Sequence, residues 1–151
     1  MKSSMAESRT RVSVIIPIYN ELQHAEEVIR RVIAAPLPPN CEKEIIVIDD
    51  GSTDGMTEIL ASYGPAIIWE SGPNRGACSA RNRGFALSSG SYIQHLDADD
   101  YLLPEKIARQ VAFLEETGGD IVYGDWRHQY DLPDGNSCFG DDVVSGFHED
   151  V

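Results

Sequence analysis

The sequence has no long apolar run, few basic side chains and few cysteines. No segment approaches the roughly 18 consecutive apolar residues that a membrane helix needs, and the polar residues 1–11 do not resemble a signal peptide. Only 12 basic residues stand against 25 acidic ones, for a formal net charge of −13. This balance disfavours nonspecific binding to nucleic acid or to an anionic membrane surface. We expect a cytoplasmic chain, or one at the cytoplasmic face of a membrane in a longer protein.

The three cysteines and the absent glycine motifs exclude further classes of site. Cys41, Cys78 and Cys138 are odd in number, lie far apart and lack zinc-site spacing, which favours reduced cysteines. Neither GxGxxG nor GxxxxGK[ST] occurs, so dinucleotide binding of the Rossmann type and P-loop hydrolysis both lose support. Any grip on a phosphate must therefore come from a cation held by acidic side chains, or from Arg75 or Arg81.

What the sequence does contain is a regular alternation of strand and helix patterns. With 151 residues and 42% hydrophobic residues, it is large enough for one domain with a core. Residues 1–10 are predicted to be a disordered tail. The pattern predicts an α/β fold with a mostly parallel sheet and helices on both faces. The predicted strands are 12–19, 44–48, 66–70, 92–96 and 120–126, and the predicted helices are 21–35, 54–62, 77–87 and one starting near Pro104.

Smaller signals predict where these elements begin and end. Asn20 followed by Gln23 predicts a capping box for the first helix, and Gly90 predicts the end of the third. Residues 131–135 predict a hairpin-like turn. No later element closes the fold, so we expect a truncated core or a small member that lacks a second half.

Three carboxylates crowd into the segment Leu96-Asp97-Ala98-Asp99-Asp100. Carboxylates this close repel one another unless solvent, a cation or positive side chains neutralise them. The segment is either an acidic turn capping the next helix or a site for a hard divalent cation. Polar groups also follow two other predicted strands, at Tyr19-Asn20 and Asp49-Asp50. Because ligands collect beyond the carboxyl ends of parallel strands, this convergence favours a binding site.

Four sequence blocks carry a resemblance to a known family. They are Val12–Glu21 (VSVIIPIYNE), Ile48–Asp54 (IDDGSTD), Asn74–Gly84 (NRGACSARNRG) and Leu96–Asp100 (LDADD). In this order and at these intervals, they resemble the family 2 glycosyltransferases with the GT-A fold, a Rossmann-like α/β fold. The resemblance covers residues 11–126 and implies the N-terminal, nucleotide-sugar-binding part of such an enzyme. Residues 127–151 would then be the incomplete start of the acceptor-side region.

The resemblance also implies roles for residues that follow the first two strands. Pro17, Tyr19 and Glu21 would line the base of a nucleotide sugar, with the Tyr19 ring packed against it. Asp50, or less favourably Asp49, would accept a hydrogen bond from the base imide or the ribose. The alternative for both aspartates is helix capping by the Asp-Gly-Ser-Thr turn.

Further roles implied by the resemblance concern the diphosphate and a metal ion. The segment Asp97-Ala98-Asp99 matches the DxD motif of the family, which binds ribose and a divalent cation, Mn²⁺ or Mg²⁺. Asp99 would be the direct metal ligand, and Asp97 a ribose or water-mediated contact that also counts toward the metal site. Asn74 and Arg81 would lie near the nucleotide sugar, although Arg81 has the alternative of an ordinary surface position on its helix.

The implied reaction moves a sugar, with inversion, from a nucleoside diphosphate donor to an acceptor hydroxyl. A UDP-sugar is the expected donor, and the acceptor (glycan, lipid or polysaccharide) is left open. The catalytic base is unassigned: Glu149 and Asp150 form an acidic pair, but the family places its base further along the chain. One alternative is therefore a nucleotide-sugar-binding module without turnover. A GT-A nucleotidyltransferase is disfavoured, because no glycine-rich, lysine-bearing segment follows residues 12–19.

Overall fold

The computed structural model describes residues 9–144 of the chain. Most of the predicted tail, and both Glu149 and Asp150, lie outside the described residues. Strands and helices alternate up to residue 117 and are followed by a hairpin. The elements are β1 (Thr10–Ile18), α1 (Leu22–Ala34), β2 (Cys41–Asp49), α2 (Met56–Ser62), a 3₁₀ turn (Gly64–Ala66), β3 (Ile68–Ser71), α3 (Ala77–Leu87), β4 (Tyr92–His95), α4 (Lys106–Thr117), β5 (Trp126–Asp131) and β6 (Ser137–Val144).

Four parallel strands form the central sheet in the order β3-β2-β1-β4. The pairing places Ile18 of β1 beside Asp49 of β2, and Asp49 beside Ser71 of β3. On the other side of β1, Ile15 pairs with His95 of β4. The loops that follow the four strands therefore leave the sheet at one edge, as the alternating pattern predicted.

Helices cover both faces of this sheet, because β1 and β2 bury apolar side chains on both sides. Val14, Ile16 and Val47 belong to the larger cluster, which contains residues of α1, α2 and α4. Ile15, Ile46, Ile48 and Ala80 of α3 form the smaller cluster on the opposite face. Near-continuous β-branched runs are what a strand buried on both faces requires.

Gly84 lets α3 approach the sheet closely. A Cβ atom on this buried residue would lie 2.4 Å from Cγ2 of Ile15. The close packing holds the helix that carries Arg81 against β1.

Two of the predicted caps are wrong. Asn20 does not cap α1: the helix begins at Leu22 without a side-chain cap, and the Leu22 N–H instead donates to Asp54 Oδ2 at 3.0 Å. Gly90 does not end α3, which has its C-cap at Ser88. Gly90 is required for another reason, since a Cβ there would lie 2.7 Å from the backbone nitrogen of Ser13. Tertiary contacts, and not local capping, decide both positions.

The fifth strand lies elsewhere than predicted. Residues 121–125 are irregular, and the strand begins at Trp126. It pairs antiparallel with β6 and forms a separate two-stranded sheet instead of extending the parallel one. The hairpin turn predicted at residues 131–135 is confirmed, with Gly135 in the left-handed region at φ 81°. The apolar start of the segment resembled a buried strand, but its exposed Ile121 and Tyr123 show that burial does not support one.

The chain divides into two compact units, residues 1–111 and 112–151. The first contains the parallel sheet and the second contains the hairpin. Within residues 9–144, no helix is long and apolar enough to cross a membrane.

Candidate functional site

A cavity of about 270 Å³ lies beyond the carboxyl ends of β1, β2 and β4. The structure brings together there nearly all of the residues that the sequence singled out. The lining consists of Pro17, Ile18, Tyr19, Glu21, Asp50, Asn74, Gly76, Ala77, Ala80, Arg81, Asp97, Ala98 and Asp99. Two residues that the sequence singled out are not part of this lining: Asp49, and Arg75, which was the alternative to Arg81 for contacting a phosphate.

Asp50 holds the loop before α3 in place while lining the cavity. Its residue is only 3% exposed. The carboxylate accepts hydrogen bonds from the backbone N–H groups of Arg75, at 3.0 and 3.1 Å, and Gly76, at 2.7 Å. These backbone donors satisfy both oxygens of the carboxylate without a cationic side chain. A carboxylate has lone pairs beyond those used here, so Asp50 retains accepting capacity toward the cavity.

Asp49 performs a different task from its neighbour. It is fully buried, and its carboxylate accepts from the Ser52 N–H at 2.9 Å and from the Ser71 hydroxyl at 2.5 Å. Each carboxylate oxygen of Asp49 therefore accepts a hydrogen bond from within the protein, and Asp49 does not line the cavity. The sequence left helix capping open for this pair, but α2 has Gly55 at its N-cap and no side-chain cap, so Asp49 stabilises the turn and does not cap the helix. The contact to Ser52 lies within the turn, and the contact to Ser71 ties the turn to β3.

Arg81 and Asp97 form an ion pair in the cavity wall. The Arg81 Nη2 atom lies 2.5 Å from Asp97 Oδ1. This hydrogen bond raises the pKa of Arg81, so the guanidinium stays charged. Arg81 lines the cavity, so it does not occupy the ordinary surface position that was its alternative. Neither side chain is deeply buried, and both remain reachable by a ligand in the cavity.

The other two carboxylates of the acidic segment, Asp99 and Asp100, have no cationic side chain paired with them among residues 9–144. Asp99 is exposed, lines the cavity, and has no hydrogen-bond or ion-pair partner among residues 9–144. Partial burial, and then the charges of Asp99 and Asp97, raise the pKa of Asp100. Carboxylates repel one another in this way when too few positive charges lie nearby. The segment thus carries an excess of negative charge that one arginine does not offset.

The carboxylate donors fit a hard divalent cation only in part. Carboxylate oxygens are the ligands that Mn²⁺ and Mg²⁺ accept. Asp97 shares one oxygen with Arg81, whereas Asp99 is available. Within the described chain, no group of three or more His, Cys, Asp or Glu side chains is arranged to hold a metal ion. A cation at Asp99 would therefore need oxygen ligands from a bound molecule as well.

The loop after β1 supplies the apolar side of the cavity. Pro17 and Ile18 end the strand, and the Tyr19 ring is 50% exposed. Glu21 contacts His24, with 3.2 Å between Glu21 Oε2 and His24 Nδ1. A half-exposed aromatic ring at the mouth of a polar cavity offers a surface on which a planar base can stack.

The lining also contains four residues that the sequence did not single out: Ile18, Gly76, Ala77 and Ala80. The last three are glycine or alanine, which leave room for a ligand to approach. Gly76 has φ 88°, and the first turn of α3 follows it without a side-chain cap. A signal existed, because a glycine followed by small residues before Arg81 marks a helix start that a ligand can approach closely.

Solved structures with this architecture are GT-A glycosyltransferases. TarS residues 1–349 from S. aureus matches with a TM-score of 0.66 and 28% identity, over 74% of this chain and 34% of that one. A TarS structure in complex with UDP-GlcNAc matches with a TM-score of 0.63 and 27% identity, over 74% of this chain and 33% of that one. The mannosyltransferase PcManGT of Pyrobaculum calidifontis, in complex with GDP-Man and Mn²⁺, matches with a TM-score of 0.60 and 27% identity. The match covers 78% of this chain and 34% of that one.

The chain belongs to glycosyl transferase family 2, whose family model matches residues 13–136. An undecaprenyl-phosphate 4-deoxy-4-formamido-L-arabinose transferase of Pseudomonas savastanoi is 40% identical over 116 residues. An uncharacterized glycosyltransferase of Rickettsia conorii is 39% identical over 109 residues. The alignments cover 74% and 71% of this chain but 34% and 18% of those proteins. The chain thus spans about a third or less of the length of these relatives.

Proposed function

We propose that the chain binds the nucleoside diphosphate sugar donor of a glycosyl transfer reaction, with uridine as the favoured base. The observation that carries this proposal is the single cavity that joins Asp50, Arg81 and Asp99 beyond three strand ends. The TarS neighbour binds UDP-GlcNAc, which supports the choice of donor. Tyr19 would stack on the base, and Asp50 would accept a hydrogen bond from its imide or from the ribose. A donor without that N–H or O–H would leave the carboxylate unpaired.

Asp99 would hold a divalent cation, Mn²⁺ or Mg²⁺, together with diphosphate oxygens of the donor. The available carboxylate and the uncompensated charge of the acidic segment support this assignment. The PcManGT neighbour, in complex with GDP-Man and Mn²⁺, supports it independently. When bound, such a cation offsets the charge that develops on a departing nucleoside diphosphate. Arg81 would orient Asp97 toward the ribose and lend a second positive charge near the diphosphate.

For the whole protein, we propose transfer of the sugar to an acceptor hydroxyl with inversion. That step needs a base that removes the hydroxyl proton as the bond to the sugar forms. Glu149 and Asp150, which lie outside the described residues, are the candidates from the sequence. The alternative is a chain that holds the donor without turnover. Release of UDP from a UDP-sugar, followed with glycan and lipid acceptors present, separates the two: multiple turnover supports transfer, and none supports the binding module.

The donor and cation sites are tested together by calorimetry with UDP, with and without Mn²⁺. We expect Mn²⁺ to strengthen UDP binding to the wild-type chain. Asp99→Asn should abolish that strengthening, because the amide has lost the charge that a hard cation requires. Asp120→Asn is the matched control, since Asp120 is exposed and does not line the cavity. Binding of UDP that is independent of Mn²⁺, or unaffected by Asp99→Asn, would contradict the metal assignment.

A further inference from the structure

Three of the loops that line the cavity consist mainly of polar residues and glycine, which offer little apolar surface to hold the loops together. The loop after β1 carries Tyr19 and Glu21, the loop after β2 carries Asp50, and the loop before α3 carries Asn74 and Gly76. Loops are the more mobile parts of a fold, and donor binding needs their groups within a few tenths of an ångström of one geometry. Something other than the core must therefore set the loops relative to one another.

Asn20 joins the first loop to the second through hydrogen bonds in both directions. Its backbone N–H donates to Ser52 Oγ at 2.9 Å. Its side-chain Oδ1 accepts from the Thr53 N–H at 2.8 Å. The partners lie 32 and 33 residues away in sequence, so these contacts are tertiary. Asn20 itself does not line the cavity but separates Tyr19 from Glu21, both of which do.

The backbone of Asn20 is in an uncommon conformation that these bonds require. Its φ is 53°, in the left-handed region, which asparagine tolerates better than most residues with a Cβ atom. A residue in this region persists when its surroundings determine it, and such residues cluster at ligand sites. Asn40 is the other non-glycine residue with positive φ in the described chain, at 65°. It directly precedes β2, at the opposite edge of the sheet from the cavity.

The same chain of hydrogen bonds continues to the third strand. The Ser52 N–H donates to Asp49, and the other oxygen of Asp49 accepts from Ser71 at 2.5 Å. We use the name loop clasp for the linked set Asn20, Ser52, Thr53, Asp49 and Ser71. Because Asp49 is fully buried and is bonded at both oxygens, it anchors the clasp to the sheet.

We propose that Asn20 is a positioning residue for the donor cavity, acting through the loop clasp without itself contacting the donor. This inference rests on the proposed donor-binding function. The clasp holds the Tyr19 segment at a set distance from Asp50, so the base meets a preformed surface. Loss of the clasp leaves each donor contact chemically intact but requires the loops to be ordered at the moment of binding, which lowers affinity.

The test compares matched asparagine variants of the 151-residue chain by UDP calorimetry in Mn²⁺ and by thermal unfolding. Asn20→Ala should raise the Kd for UDP about tenfold, which corresponds to the loss of one or two hydrogen bonds. Asn40→Ala removes an asparagine with the same backbone conformation and should leave the Kd within about twofold, whatever its effect on stability. Asn20→Asp keeps the accepting oxygen and should return the Kd to within about threefold of wild type.

Two more variants separate the side-chain bond from the backbone conformation. Asn20→Gly keeps the left-handed backbone without the acceptor and should bind UDP as weakly as Asn20→Ala. Ser52→Ala removes the acceptor of the Asn20 N–H. If Asn20→Ala does not fold, Ser52→Ala replaces it and should likewise raise the Kd for UDP. Folded Asn20→Ala with wild-type UDP affinity, or Asn20→Asp as weak as Asn20→Ala, would overturn the inference. A wild-type chain that binds no UDP would instead overturn the proposed function.

Discussion

Among single residues, Arg81 stands out because it pairs with Asp97, one of the two aspartates that we propose for the metal site. Its guanidinium is hydrogen-bonded to one oxygen of that carboxylate, and both groups face the cavity. An incoming Mn²⁺ and Arg81 would therefore compete for Asp97, while an incoming diphosphate would be attracted to Arg81. Arg81 would then weaken the binding of Mn²⁺ and strengthen the binding of a diphosphate.

Substitution of Arg81 by glutamine should separate these two effects. We expect Arg81→Gln to weaken UDP binding in Mn²⁺ by roughly tenfold or more, because a charge-assisted hydrogen bond is lost. Binding of Mn²⁺ alone should become stronger, because Asp97 is freed from its partner. Calorimetry measures the first quantity, and the electron paramagnetic resonance of free Mn²⁺ measures the second. Arg109→Gln, an exposed arginine paired with Glu105, is the control. Weaker binding of both ligands would argue against competition at Asp97.

The adjacent aspartates Asp49 and Asp50 show what a residue-level pattern misses. Both are nearly inaccessible, and in sequence both follow the same apolar run. One is bonded to Ser52 and Ser71 within the fold, and the other faces the cavity. Asp49 is the last residue of β2, whereas Asp50 is the first residue of the loop that follows, and its carboxylate accepts from the backbone before α3. The end of the apolar run is readable from sequence, but the partners of each carboxylate depend on the loops that pack beside it.

At the scale of elements, a polar network joins the amino-terminal ends of β1 and β2 to the chain before β4. Glu44 accepts from the Ser13 hydroxyl at 2.6 Å and from the Ser89 hydroxyl at 2.7 Å. Its side chain is 11% exposed. Burial acts to raise the pKa of Glu44, but the hydrogen bonds from Ser13 and Ser89, with the charge of Arg11, outweigh it and lower the pKa. The network requires Gly90, whose N–H donates to Ser13.

This network predicts a specific pH dependence of stability. The folded pKa of Glu44 lies below its ordinary value of 4.5, so the unfolded chain binds its proton first as pH falls. The stabilisation is therefore fully present above pH 4.5 and is lost as pH falls through the folded pKa. Urea unfolding between pH 7 and pH 3 should show a smaller acid-induced loss of unfolding free energy in Glu44→Gln than in wild type. Glu116→Gln, on the exposed side of α4, should follow wild type. Equal slopes for all three proteins would exclude the network as the cause.

At the scale of the whole molecule, the candidate site belongs to one compact unit. All lining residues lie between residues 17 and 99, within the unit that ends at residue 111. The β5–β6 hairpin belongs to the other unit. The proposed donor binding can therefore be measured in a chain that lacks the hairpin.

Removal of the hairpin tests that separation. We expect a chain ending at Gly119 to bind UDP in Mn²⁺ with a Kd within about twofold of the 151-residue chain, because no contact to the donor is lost. Calorimetry of the two chains side by side is the measurement, with circular dichroism to verify that helix content is retained. A tenfold or larger loss of affinity in a folded, shortened chain would show that the hairpin contributes to the donor site.

Strand and helix patterns in the sequence specify the architecture and the end of the sheet at which the site lies. Apolar runs such as residues 12–18 specify buried strands, and the helical periods between them require parallel pairing. Parallel pairing then brings the polar residues after each strand to one edge, which is why the predicted lining and the observed one largely coincide. The prediction of a fifth strand at residues 120–126 was wrong, because an apolar run of that length is compatible with several environments.

Only the tertiary structure decided which partners these polar residues take. The Arg81–Asp97 pair spans 16 residues, and the contacts of Asn20 span 32 and 33. Local sequence predicted a capping box at Asn20 and left residues 97–100 open between a helix-capping turn and a cation site. Hydrogen bonds between loops distant in the chain depend on how the sheet sets those loops side by side, and no local pattern records that distance. The division of the acidic residues into an anchored Asp49, a paired Asp97 and an available Asp99 follows from that packing.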